Sequence, residues 1–421
     1  MRRRDFLKLA GAATLAGAAT LAGCAARGGA AKARVVVIGA GYGGATAAKY
    51  VAMWDPRIEV TIVERGEQFV SCPISNLVLG GNRTMQDITR GYDGLRRHGV
   101  QLVKAEALAV DSAKRTVALS SGGTLGYDRL VLSPGIDFLF GDIAGYQGAE
   151  PRVLHAWKAG PQTVALRREL EAMPDGGVYL LAIPVAPYRC PPGPYERACQ
   201  VANYFKRAKP RSTVLVLDAN PDVTSKGPLF KRAWEELYPG IIEYHPNAKV
   251  IAVDAAAMSV RTDFDTVKGD VLNVVPPHRA GDIALKAGIV TSNNRWCDVD
   301  WRTMESKAVK GIHVLGDATL SAAGMPKSGH IANAHAKVCA AALVELLNGR
   351  EPNPNPVMNN TCYSFVSDKE AIHVASVHQY DAGQGAIIPV KGAGGVSSTR
   401  SELEGAYAWS WARNIWADML G

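Results

Sequence analysis

A fully apolar strand that runs straight into a glycine-rich turn and then a helix sets the framework for the folded chain. Arg34-Val35-Val36-Val37-Ile38 leads into Gly39-Ala40-Gly41-Tyr42-Gly43-Gly44 and the helical run Ala45-Thr46-Ala47-Ala48. In this pattern Gly39 allows a tight turn, Gly41 lets the backbone approach a pyrophosphate, and Gly44 permits close packing of helix on strand. The helix N-terminus then faces the anion. A second strand, Ile58 to Val63, ends in Glu64, about twenty residues beyond Gly44, where a carboxylate accepts the hydroxyls of an adenosine ribose. Glu64 disfavours a 2′-phosphate, so FAD or NAD is expected rather than NADP.

Three later segments resemble elements of two-domain flavoproteins and point to FAD. Gly311-Ile312-His313-Val314-Leu315-Gly316-Asp317 is a buried strand ending in Gly-Asp, where the aspartate of such proteins meets the ribityl hydroxyls. Tyr127 to Gly135 resembles the strand and turn that return to the second domain, which adds Pro134 and Gly135 to the expected cofactor contacts. Met325-Pro326-Lys327-Ser328-Gly329 precedes a helix from about His330 to Leu347, whose positive end suits a reduced flavin, and Lys327 is counted with Gly316 and Asp317 as a cofactor contact. A strand from Val178 to Ile183 stands where a second glycine motif belongs, but the chain continues Pro184-Val185-Ala186-Pro187-Tyr188-Arg189-Cys190-Pro191-Pro192-Gly193-Pro194-Tyr195-Glu196. Prolines have no N–H to offer a pyrophosphate, so no NAD(P) is expected, although Thr213 to Leu217 followed by Asp218 keeps the dinucleotide-fold rhythm.

The first thirty residues read as an address. Arg3-Arg4-Asp5-Phe6-Leu7-Lys8 is a twin-arginine export signal, followed by an Ala/Gly/Leu stretch to Gly23 that lacks the polar face of a surface helix. Leu21-Ala22-Gly23-Cys24 resembles a lipobox; either Cys24 carries a lipid or cleavage falls further on and Cys24 is incidental. No later apolar run reaches the roughly 18 residues of a membrane span, so that lipid is the expected route of any membrane attachment. The formal charge of +8 loses Arg2, Arg3, Arg4 and Lys8 with the signal, and the remaining basic residues are not clustered, which argues against a nucleic-acid partner. The expected destination is the periplasm, where the seven cysteines meet an oxidising environment. Cys199 and Cys339 sit in helix-like segments and read as packing residues.

At this point a family resemblance becomes specific. Arg189 to Arg197, Pro276-Pro277-His278-Arg279-Ala280-Gly281, Trp296-Cys297-Asp298-Val299-Asp300, Met325 to Gly329 and Asn360-Thr361-Cys362-Tyr363-Ser364 resemble the flavoprotein subunit of flavocytochrome c sulfide dehydrogenase over nearly the whole chain. The resemblance implies that Cys190 and Cys362 form a redox-active disulfide beside the flavin, that Glu196 is the acidic residue near it, and that Cys72 holds FAD covalently. A purely structural bridge between Cys190 and Cys362, and a salt bridge for Glu196, are the alternatives. Sulfide is then the substrate. With no Cys-x-x-Cys-His in this chain, a c-type cytochrome subunit is the expected electron acceptor. A membrane-associated sulfide:quinone oxidoreductase is the alternative function. Cys297 has no assigned role, and Tyr407, Trp409, Trp411 and Trp416 border either the flavin, an interface or the core.

The expected fold is α/β, with two Rossmann-like dinucleotide-binding domains of disulfide-reductase type and a small C-terminal α+β domain. The signal occupies residues 1–30, the FAD domain 31–150 and 275–350, the second domain 151–274 and the C-terminal domain 351–421. Residue types and spacing suggest no metal site.

Overall fold

The unbroken apolar run Val35–Val37 lies in the interior of a parallel sheet, where both faces are covered and polar alternation is not required. The protein is described by a computed structural model over residues 31–421; the export signal, the lipobox and Cys24 lie outside the described residues. The chain opens with β1 (Ala33–Ile38), α1 (Tyr42–Trp54), β2 (Ile58–Glu64), β3 (Gln101–Lys104) and β4 (Arg129–Leu132). Strand β1 pairs in parallel with β2 on one side and β4 on the other.

The chain then builds a second parallel sheet. Its elements are β5 (Val153–Leu154), α2 (Pro161–Ala172), β6 (Val178–Ile183), α3 (Gly193–Ala208), β7 (Thr213–Asp218), α4 (Gly227–Leu237), β8 (Ile242–His245) and β9 (Val271–Val274). The order across this five-stranded sheet is β5-β9-β6-β7-β8. Strands β10 (Val299–Asp300), β11 (Glu305–Ser306) and β12 (Ile312–Val314) return to the first sheet, giving the seven-stranded order β10-β11-β12-β4-β1-β2-β3. Helix α5 (Gly329–Leu347) follows, capped by the Ser328 hydroxyl, which accepts from Ile331 N at 3.1 Å.

The last segment is an antiparallel meander of β13 (Val357–Phe365), β14 (Ala371–Asp381) and β15 (Ala386–Val396), closed by α6 (Glu402–Leu420). Helix α6 is fastened at its far end. Lys49 Nζ donates to the carbonyls of Ala417 and Asp418, Tyr50 OH donates to Asp418 Oδ1, and Asn333 Nδ2 donates to Asp418 Oδ2. Trp416 Nε1 donates to Tyr42 OH at 3.1 Å, which ties the helix to the glycine motif. Two Rossmann-like sheets and a small C-terminal α+β element agree with the expected fold class.

Candidate functional site

The glycine motif gives a bare helix end beside a cavity. Gly39 has φ +92°, and a Cβ there would lie 2.4 Å from Ser133 O; a Cβ on Gly44 would lie 1.8 Å from Gly39 O. Both glycines are therefore buttresses behind the cavity wall, as is Pro134. The surface itself is made by Gly41, Tyr42 and Gly43, and a Cβ on Gly41 would meet no atom. No side chain caps the N-terminus of α1, which leaves its N–H groups free for an anion. Glu64 lines the same cavity and is oriented by Ala40 N and Gly66 N, each donating at 2.8 Å. Gly135, Gly316 and Asp317 line it from the ends of β4 and β12.

These residues fit FAD on a structural criterion. Asp317 Oδ1 is buried with no hydrogen-bond partner among the described residues, and so is Trp411 Nε1, on another residue lining the cavity. Buried polar atoms are normally satisfied, so two orphans on one cavity wall mark partners that a ligand supplies. Burial pushes the Asp317 carboxyl upward, a cost that ligand hydroxyls would offset by hydrogen bonding.

The sulfur half of the cavity is assembled from three parts of the chain. Cys72 stands before a short helix beginning at Ser75, with Ala159 N donating to its sulfur at 3.3 Å. Cys190 is held in a left-handed conformation, φ +59°, by its N–H donating to Lys327 O at 2.8 Å. Such a conformation costs a non-glycine residue roughly 1–2 kcal/mol and persists where the surroundings impose it. Cys362 comes from β13, and its sulfur donates to Asn360 Oδ1 at 3.3 Å. All three line the cavity as free thiols, without a bond joining Cys190 to Cys362. Burial raises both the Cys190 and Cys362 thiols above the ordinary range.

Glu196 and Arg197 form a buried pair of opposite charges that do not touch directly. Glu196 accepts from Phe365 N and from Asn76 Nδ2, both at 2.8 Å, and burial pushes its carboxyl upward despite those donors. Arg197 donates to Asn76 Oδ1, to Asn273 Oδ1 and to the carbonyls of His155 and Ala156, with its guanidinium 4.6 Å from the Trp157 ring centre. Asn76 thus bridges the two, which replaces the salt bridge considered from sequence. Asn76 and Lys226 are site residues that sequence reading missed. Lys226 Nζ donates to Cys362 O at 3.0 Å and to Ser364 Oγ at 2.8 Å. Only the left-handed turn before α4, which brings this lysine inward, distinguishes it from a solvent lysine, and no local motif announces that turn.

One expected contact is corrected. Lys327 does not line the cavity: its ammonium donates to the carbonyls of Asp317 and Thr319 and sits 3.7 Å from the Trp296 ring centre. Burial lowers its pKa to about 7, and its contribution to the site is the backbone carbonyl that holds Cys190. Cys297 is buried beside Thr319 in the same packing layer, and Cys199 and Cys339 are buried on α3 and α5. The aromatic group divides: Trp411 borders the cavity, Trp416 is core, Trp409 packs edge-on against Trp416, and Tyr407 is exposed.

Comparisons with known proteins follow this geometry. Residues 163–276 match the family model described as sulfide dehydrogenase [flavocytochrome c] flavoprotein chain, central, and residues 354–420 match the flavin-binding model of flavocytochrome c sulphide dehydrogenase. Residues 33–172 match the pyridine nucleotide-disulphide oxidoreductase model. The flavoprotein chain of sulfide dehydrogenase [flavocytochrome c] from Chlorobaculum thiosulfatiphilum is 58% identical over 45 residues, 11% of this chain and 94% of that one. Mouse mitochondrial sulfide:quinone oxidoreductase is 24% identical over 305 residues, 68% of this chain, which spans 65% of that relative's length. The structure of the sulfide:quinone oxidoreductase of Aquifex aeolicus superposes with a TM-score of 0.76 at 18% identity, covering 92% of this chain and 91% of that one, a likeness of fold. The chain belongs to the flavoprotein subunits of flavocytochrome c sulfide dehydrogenase, within the two-dinucleotide-domain disulfide-reductase superfamily.

Proposed function

We propose that this protein oxidises sulfide at a Cys190–Cys362 disulfide beside FAD and passes the electrons to a c-type cytochrome subunit. The observation that carries the reading is the meeting of Cys190 and Cys362 in the cavity that also holds Glu64 and Asp317. Hydrosulfide attacks Cys190 Sγ, an S–S bond forms between them, the Cys190–Cys362 bond breaks, and the electron pair leaves on Cys362 as a thiolate. Cys190 then carries a persulfide, whose proton passes to Glu196. FAD, when bound, supplies a two-electron acceptor able to release electrons singly to a haem protein. Glu64 and the amides of α1 would hold its adenosine and pyrophosphate, and Asp317 its ribityl hydroxyls.

The second sheet supports an electron donor other than NAD(P)H. Asp218, at the strand end where a dinucleotide fold presents a carboxylate to ribose, is fully buried and already saturated. It accepts from Tyr195 OH at 2.7 Å, Tyr244 OH at 3.0 Å and Asn220 Nδ2 at 2.7 Å. Asn220 also fastens the proline loop by accepting from Ala186 N at 2.9 Å. Anaerobic sulfide is expected to bleach the flavin stoichiometrically, with cytochrome c restoring the colour and NADH having no effect. Rapid bleaching by NADH would refute the proposed direction of electron flow. Reoxidation by quinone alone would favour the sulfide:quinone oxidoreductase reading, for which the mouse and Aquifex likenesses speak.

The twin-arginine signal supports a periplasmic location, and the lipobox-like Leu21-Ala22-Gly23-Cys24 supports a lipid on Cys24. Among the described residues no helix is long and apolar enough to cross a membrane. Cys72, lining the flavin cavity, supports a thioether to FAD. Acid-precipitated protein is expected to stay yellow, and Cys72→Ala protein to release its flavin into the supernatant. Quantitative release from the unaltered protein would rule the thioether out.

A further inference from the structure

Lys226 is a buried ammonium that reaches the backbone of Cys362. It lies at the N-terminus of α4, with φ +57°, and only 7% of its surface is exposed. Its three hydrogen-bond acceptors are neutral oxygens: Cys362 O at 3.0 Å, Ser364 Oγ at 2.8 Å and Ile372 O at 3.5 Å. A buried cation solvated by neutral dipoles alone is costly and calls for an anion close by. The carboxylates nearest in electrostatic terms have other partners. Glu196 is held by Asn76 and Phe365, and Glu404 by His373 and Ser397. The positive end of α4 adds a partial charge of the same sign at the same spot.

This arrangement is poorly balanced while the two sulfurs are joined and becomes balanced when they part. A closed disulfide has no charge. Its opening by hydrosulfide places one negative charge on the sulfur of Cys362, the residue whose carbonyl Lys226 already grips. We propose that Lys226 is the counter-charge of the Cys362 thiolate, a positioning residue that favours opening of the disulfide by stabilising the leaving sulfur.

The inference rests on the sulfide-oxidising reading for its purpose but not for its physics. Burial pushes the Cys362 thiol up, and the Lys226 ammonium is the strongest influence pulling it back. The converse also holds: burial lowers the pKa of Lys226 to about 8, while Cys362, Glu196, Cys190 and Glu404 around it favour its charged form. The two groups therefore titrate as a pair: a thiolate on Cys362 favours the charged lysine, and the charged lysine favours the thiolate.

The test uses full-length, flavin-loaded protein carrying Cys190→Ser, so that Cys362 has no partner sulfur. Iodoacetamide labelling of the Cys362 peptide, followed by mass spectrometry across pH, gives the midpoint of thiolate formation. Lys226→Met is expected to raise that midpoint by about one unit, a tenfold loss of labelling at intermediate pH. Lys226→Gln, which keeps N–H donors without the charge, should match Met, and Lys226→Arg should restore the parent value. A change in accessibility alone would alter the limiting rate and leave the midpoint in place. An unmoved midpoint in folded Met or Gln protein overturns the proposal, even if sulfide bleaches the parent flavin. A shifted midpoint in a parent that sulfide fails to bleach leaves Lys226 in its role and removes the proposed substrate.

Discussion

Cys362→Ser protein is expected to fold, bind FAD and lose sulfide-driven flavin reduction by on the order of 10³-fold or more. A serine hydroxyl has no sulfur for a mixed disulfide and is a far poorer leaving group than a thiolate, so bond exchange at Cys190 has nothing to displace. The substitution nearly preserves volume. The cysteine lies on β13 with its backbone paired to Val374, so strand geometry does not depend on the sulfur. Stopped-flow bleaching at 450 nm with sulfide checks the rate, and the flavin-to-protein absorbance ratio checks loading. A purely structural bridge predicts the opposite: a loss of roughly 2–5 kcal/mol of stability with bleaching retained. Parent-rate bleaching by an intact Cys362→Ser protein would defeat the disulfide mechanism.

Arg197→Met is expected to produce the largest loss of stability among single substitutions in the site. The methionine fills part of the same space but leaves Asn76 Oδ1, Asn273 Oδ1 and the carbonyls of His155 and Ala156 without their donor. Deleting one member of a buried charged network costs about 3–5 kcal/mol, because unsatisfied buried acceptors keep their full desolvation cost. Glu196 also loses one of the two buried positive charges that favour its ionised form, the other being Lys226. Urea unfolding followed by flavin fluorescence measures the change, and Arg197→Lys should recover only part of it because a lysine cannot span four acceptors. A midpoint equivalent to less than about 0.5 kcal/mol from the parent would show that the network is dispensable.

The parts of this site legible in the sequence are those that local geometry dictates. Gly39 and Gly44 leave no room for a side chain, and the strand ending in Glu64 has to follow at a fixed distance, so the motif is visible in one dimension. Cys72, Cys190, Glu196 and Cys362 were singled out through a motif resemblance, and they line a single cavity. Lys327 was misread because its position before α5 suggested a cationic contact, whereas Trp296 and two carbonyls draw its side chain the other way. Asn76, which joins Glu196 to Arg197, and Lys226, which joins α4 to β13, act across long sequence separations. Nothing in the neighbours of either residue foretells those meetings. Asp218 keeps the dinucleotide-fold rhythm in sequence, but its carboxylate is taken by Tyr195, Tyr244 and Asn220, contacts that lie outside its local sequence.

The fastening of α6 links the reactive sulfurs to a distant part of the fold. Cys190 precedes α3, whereas Cys362 lies on β13, and the meander containing β13 is closed by the last helix of the chain. Lys49, Tyr50 and Asn333 hold the carbonyls of Ala417 and Asp418 and the Asp418 carboxylate, and His98 meets the carbonyl of Gly421. The second sulfur of the reactive pair thus sits in a segment backed by those contacts. Removing even the terminal turn of α6 would leave Lys49 without its acceptors.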